Sequence, residues 1–300
     1  MTLWIPITLA AALFQTARFM LQRQLSLGTL SAAGATLARF LYSAPLVAVG
    51  ITAYLTLTAQ ALPDIPARFW LYGAAGGLAQ ILATVAVVML FKARNFAVGI
   101  TFKKTEVMQA VLVGWVVLGD TVSGWGFAAI ALGLIGVLLL SAPPEIARFG
   151  WRDMVNRAAG LGLASGLLFA ISGVSYRGAS LSLEMADPFA RAGVTLAAVT
   201  AMQTVAMILW LRWREPGQVR AVWDARRVAL WVGLMSMAGS FCWFTAFTLQ
   251  NAAYVNAVGQ AELIFSALVS VLIFREAVSA REWAGMAILL ASILSLVLVI

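Results

Sequence analysis

The chain has 300 residues, 62% of them hydrophobic and only 11% charged, with a net charge of +8. Soluble domains carry about 45–50% apolar and about 25% charged residues, so the soluble class is excluded, and the long unbroken apolar runs exclude a transmembrane barrel, whose strands alternate in polarity. With no histidine and a single cysteine, Cys242, the chain lacks imidazole catalysis, the commonest metal ligand and any intrachain disulfide, and no cofactor or metal is expected.

A membrane-crossing helix needs about 20 mostly apolar residues. Taken in order, the apolar runs predict spans over 3–22, 32–57, 67–91, 95–119, 122–142, 158–178, 189–212, 228–249, 252–274 and 279–300. The start, Met1-Thr2-Leu3-Trp4, has no basic leader, so the first run is expected to be retained as a span. Turn and charge signals separate the runs, among them Pro63-Asp64-Ile65-Pro66, the short turns at Asp120 and Arg275, and the two sizeable loops 143–157 and 213–227. Neither loop is long enough to fold as a domain, so function is expected inside the bundle or at its mouths. Tryptophans near span ends, such as Trp4, Trp70, Trp125, Trp213 and Trp283, fit the aromatic belt of a membrane interface.

Shifted by 156 positions, the chain meets itself: Asn95 falls on Asn251, Glu106 on Glu262, Asp120 on Glu276 and Val122-Ser123 on Val278-Ser279. With a small gap, Ala38-Arg39 falls on Ala190-Arg191. The fold expected is therefore an all-α membrane protein of ten transmembrane helices, arranged as two five-helix repeats over 1–143 and 157–300 with a linker loop over 144–156. An odd number of spans per repeat forces the second to insert upside down, the plan of many secondary transporters. The charges agree. Arg23, Lys92, Arg94, Arg148 to Arg157, Arg212 to Arg227 and Arg275 all fall on one side, and Arg68 is the one basic residue clearly in a loop on the other. Basic loops stay cytoplasmic, which explains the net charge without a nucleic-acid partner and places Met1 and Ile300 on the outer side of the cell inner (plasma) membrane.

Five plus five spans, with the acid-x-Val-Ser turns Asp120-Thr121-Val122-Ser123 and Glu276-Ala277-Val278-Ser279 ending the fourth helix of each half, resemble the EamA-like family of the drug/metabolite transporter superfamily. The resemblance implies a secondary transporter, or exporter, of small organic solutes. It also implies a central cavity lined by helices one to four of each half. Family members commonly keep both termini in the cytoplasm, and the charge distribution here argues for the opposite orientation.

The segment Phe102-Lys103-Lys104-Thr105-Glu106 puts three ionisable groups near the middle of one span. Each costs about 2.5–3.5 kcal/mol at a helix centre, so partners or a wet cavity are required. Lys103 and Glu106 are three apart and can pair, whereas Lys104 lies on another face and needs a different partner or water. These groups are expected either to lock helix packing or to form a substrate or proton site. Glu262, the mate of Glu106, has Gly259 and Gln260 where the first half has Lys103 and Lys104. With no cation on its own helix, Glu262 is the candidate proton carrier, and Glu106 the fixed partner that orients Lys103. Arg39 and Tyr42 make a polar face that can pair with Glu106 or hold a substrate carboxylate. Trp243, Phe244 and Phe247 are either ordinary packing or an apolar wall for a solute. Gln15 and Arg18 share a face and can line the same vestibule. The ribbons Gly73-x-x-x-Gly77 and Gly162-x-x-x-Gly166 are expected at close helix contacts.

The function expected is secondary transport of small organic solutes, such as amino acids or organic acids, by alternating access. Its partners are then the substrate, the lipid bilayer and protons as candidate coupling ion, with the chain acting as a monomer. A passive channel and a membrane-embedded lipid-modifying enzyme are the alternatives. The first lacks a polar or glycine-rich filter, and the second has no serine in the turn beside Lys103 or Lys104 to act as nucleophile.

Overall fold

The computed structural model describes residues 3–28, 30–91, 96–141, 157–265, 268 and 279–299, and among these all regular structure is helical. In chain order the helices are α1 (Trp4–Leu27), α2 (Ala32–Leu57), α3 (Ala67–Phe91), α4 (Phe96–Lys103), α5 (Glu106–Leu118), α6 (Gly124–Ser141), α7 (Arg157–Leu181), α8 (Pro188–Arg214), α9 (Gln218–Asp224), α10 (Arg226–Leu249), α11 (Ala252–Gly259) and α12 (Ala280–Val299). Seven of them (α1, α2, α3, α7, α8, α10 and α12) are long and apolar enough to cross a membrane, and Gly124–Leu140 is a shorter apolar helix. The chain is a multi-pass membrane protein.

Local chemistry fixes many of the ends. Ser31 and Asn251 accept from the backbone N–H groups of Gly34 and Ala253, capping α2 and α11. Asp187 caps α8 ahead of Pro188, and Ser279 with Glu282 forms a reciprocal capping box at α12. Gly119 ends α5 at φ 69°, a left-handed conformation that favours glycine.

Three differences from the expected spans stand out. The run 95–119 is not one helix but α4 and α5, broken at Lys104-Thr105. The run 252–274 is broken in the same way at Gln260-Ala261, with helix resuming over 262–265. At both breaks i→i+3 bonds enter the backbone: Lys104 N–H is shared between the Ile100 and Thr101 carbonyls and Thr105 N–H goes to Phe102, then Gln260 N–H goes to Ala257 and Ala261 N–H to Val258. Third, the 213–227 loop contains α9. The linker 144–156 and the turn at Arg275 lie outside the described residues.

The most extensive contacts are α3 on α7 and α1 on α10, and α6 packs on α12. The first break is held by α7. A Cβ on Gly166 would come within 2.9 Å of the Lys103 carbonyl oxygen, and one on Gly162 would collide with the Gly99 carbonyl. The glycine ribbon of α7 therefore lets α4 approach backbone to backbone, as the spacing predicted. The ribbon of α3 packs on α8, with Gly77 against Val199 and Gln203.

Candidate functional site

The two helix breaks face each other at the middle of the bundle. Lys103 Nζ donates to Glu106 Oε2 at 3.0 Å, the intrahelical pair expected from the spacing. Its ammonium also sits 5.0 Å from the centre of the Phe169 ring on α7. Lys104 crosses to the other half of the chain and pairs with Glu262 Oε1, while Gln15 Nε2 on α1 donates to Glu262 Oε2 at 2.9 Å. The partner required for Lys104 is thus Glu262. The isolation from which a proton role for Glu262 was argued is corrected at the same time, because its cation comes from a segment that the sequence separates by 158 positions.

Arg39 on α2 does not pair with Glu106. It is buried, and it donates to Thr84 Oγ1 on α3 and to Ser240 Oγ on α10, both at 3.2 Å. Arg18 is buried too, rather than reaching out of the membrane, and donates to Gln22 at 2.7 Å. Among the described residues neither arginine meets a carboxylate.

Most of these groups surround one cavity of about 600 Å³, counted out to its open mouth; Arg18 does not line it, and neither does Lys104, which was expected to bind substrate and instead stands behind Glu262. Arg39, Lys103, Glu106, Glu262, Trp243, Phe244 and Phe247, all expected at the site, line it together with Gln15. Phe244 stacks on Tyr176 of α7 at 4.2 Å between ring centres, and Trp243 on Phe247 at 5.6 Å, so the rings form an apolar wall. Three polar atoms on the lining, Trp243 Nε1, Asn256 Nδ2 and Gln260 Oε1, are buried with no hydrogen-bond partner among the described residues. A buried polar atom without a partner costs about 1–3 kcal/mol, and such atoms on a cavity wall are available to water or solute.

Tyr42 is a correction. Its hydroxyl donates to the Val222 carbonyl at 3.3 Å and its ring stacks on Trp223, so it ties α2 to α9 and does not line the cavity. Sequence reasoning also missed Gln80, Phe169, Ser172, Tyr176, Ser240 and Asn256, which do line it. A signal existed for one of these: Asn256 and Gln260 are amides four residues apart on an otherwise apolar helix. At one end of the bundle Arg177 donates to Asp120 at 3.0 Å and to the carbonyl of Phe247 at 2.9 Å, tying the cavity wall to the α5–α6 turn.

Residues 156–298 match the sequence profile of the EamA-like transporter family. These residues, in the second half of the chain, are similar to members of that family. EamA-like proteins are membrane transporters of the drug/metabolite type and generally not enzymes, and the apolar helices fit a multi-pass member. No curated protein matches the chain in sequence. The fold is similar to a crystal structure with a TM-score of 0.66 at 17% identity, covering 97% of this chain and 99% of that one. This likeness concerns the fold, and it extends over the first half as well.

Proposed function

We propose that the chain is a secondary active transporter, acting as an exporter of small organic solutes such as amino acids or organic acids. It works by alternating access as ten spans in two inverted repeats, 1–143 and 157–300. The observation that carries this reading is the pair of helix breaks 156 positions apart, at Lys104-Thr105 and Gln260-Ala261, which meet at one ion-lined cavity. Discontinuous helices at matching places in two halves mark the binding site of many such carriers. The packing supports it as well. Exchanging the halves turns the α3–α7 contact into α10–α1, and leaves α2–α8 and α6–α12 as contacts of mates with each other.

In this reading the chain acts as a monomer in the cell inner (plasma) membrane, its basic loops cytoplasmic and its termini outside. Protons are the coupling ion and Glu262 the carrier. Protonating Glu262 then dissolves its pair with Lys104, so proton uptake and release of Lys104 are one event. Glu106 stays paired and orients Lys103. The test is transport in reconstituted vesicles, with a panel of amino and organic acids. Saturable counterflow that a proton gradient accelerates is expected, with Glu262→Gln losing the acceleration and keeping the counterflow. Flux that rises linearly with solute and shows no counterflow overturns the carrier reading. Gradient-driven uptake persisting in Glu262→Gln overturns the proton role.

A further inference from the structure

We infer that the central cavity selects organic anions without an ammonium group, with aromatic carboxylates the matching class; this rests on the transporter reading and narrows it. Among the described residues, the ionisable groups around the breaks are four buried cations, Arg18, Arg39, Lys103 and Lys104, and two carboxylates, Glu262 and the part-buried Glu106. Each carboxylate already holds a lysine. A substrate ammonium would have to displace one of those lysines to find a counter-charge, and would leave it unpaired in a medium where an isolated ion costs several kcal/mol.

The arginines have the opposite need. Among the described residues Arg39 faces the cavity with two hydroxyls and the Phe40 ring as its partners, and Arg18 lies within electrostatic reach of both Arg39 and Glu262. Counted together, the six groups leave two positive charges uncompensated by any acid among the described residues. A guanidinium with no acid partner is the natural fork for a carboxylate. The donors Trp243 Nε1 and Asn256 Nδ2, both without partners among the described residues, stand on the same lining to complete the carboxylate's shell. Asn256 is only 4% exposed, so its amide is held in place rather than turned to bulk water.

The rest of the wall sets the body of the solute. The stacked pairs Trp243–Phe247 and Tyr176–Phe244 present ring faces, which favour a flat, apolar group by offset stacking. A carboxylate on a ring matches both halves of the lining. The same ring bearing an ammonium meets Arg39, and a zwitterion carries an ammonium for which no carboxylate on the described lining is free.

The experiment is a melting-temperature and direct-binding series on the purified full chain, with benzoate, benzylamine and phenylalanine as probes that share the ring and differ in charge. Benzoate is expected to raise the melting temperature and the other two to leave it unchanged. Arg39→Gln should weaken benzoate at least about tenfold, the loss of one charged hydrogen-bonding partner. Asn256→Ala, which alters no charge, should weaken it by a smaller factor and keep the preference among probes. No effect of benzoate, equal effects of benzoate and phenylalanine, or undiminished benzoate binding by Arg39→Gln each overturns the inference. Because this readout is binding, it is separable from transport. Counterflow of cations or zwitterions without benzoate binding overturns the anion assignment and leaves the carrier standing, and benzoate binding without counterflow does the reverse.

Discussion

Removing the ammonium of Lys104 should destabilise the protein, and removing the charge of Glu262 as well should restore most of the loss. Lys104 is buried and its partner Glu262 is nearly so, with side chains 4% and 12% exposed. Breaking a buried pair from one side costs about 3–5 kcal/mol, because the remaining charge is stranded. In Lys104→Ala one oxygen of Glu262 keeps the Gln15 amide, so the low end applies, about 3 kcal/mol. The double variant Lys104→Met with Glu262→Gln removes both charges and retains an amide for Gln15, and replacing a buried pair by neutral groups is often close to neutral. The coupling energy should therefore be about 2 kcal/mol or more, within the range for residues in one network. Reversible unfolding of the purified protein in detergent, over the four members of the cycle, measures it. Additive losses, with the double variant worse than either single one, would refute the reasoning. From sequence alone Lys104 had no partner on its own helix; the cross-chain pair with Glu262 supplies one and places a stability cost on its loss.

Gly162→Ala should lower the yield of folded protein, at about 1–3 kcal/mol of overpacking, because its Cβ meets the backbone carbonyl of Gly99. Gly160→Ala on the same helix, with nothing within 4 Å of the added Cβ, should be tolerated in the same fluorescence-detected chromatography. Arg177→Gln should loosen the end of the cavity held by Asp120 and the Phe247 carbonyl, read as faster labelling of a cysteine placed at Phe247 on a Cys242→Ser background. Burial pushes the pKa of Asp187 up, but hydrogen bonds from Gln60, Tyr54 and the Phe189 and Ala190 N–H groups outweigh it and hold its carboxyl below the ordinary 3.8. A folded-state value below the unfolded one stabilises fully above that unfolded value and is lost as pH falls through the folded one. Asp187→Asn should therefore flatten the fall in melting temperature below about pH 4 without removing the helix cap.

Much of the architecture was legible because the membrane imposes a length. The runs 32–57 and 67–91 match α2 and α3, and 189–212 lies within α8, since about 20 apolar residues leave little choice. The helix breaks were not legible. Lys104-Thr105 and Gln260-Ala261 contain no proline, and only the tight packing of neighbouring helices makes the backbone narrow there. In the site, the Lys103–Glu106 pair followed from helical spacing, whereas Lys104–Glu262 depends on which helices meet, and spacing within one helix carries no such information. Tyr42 shows the converse limit. Three residues from Arg39, it shares that helix face, but its long side chain runs to α9, a helix that the sequence read as plain loop.

The Lys104–Glu262 pair also has no counterpart under exchange of the halves. The equivalent contact would join Gln260 to Glu106, an amide to a carboxylate that already holds Lys103. Two identical repeats would give inward-open and outward-open forms of equal energy, and the carrier would rest in neither. A charge pair present once gives the two forms different energies, and each 1.4 kcal/mol of that difference shifts their ratio about tenfold. In the proposed carrier the resting direction would thus be set by an asymmetry between the two halves, and a proton arriving at Glu262 would act on that bias directly.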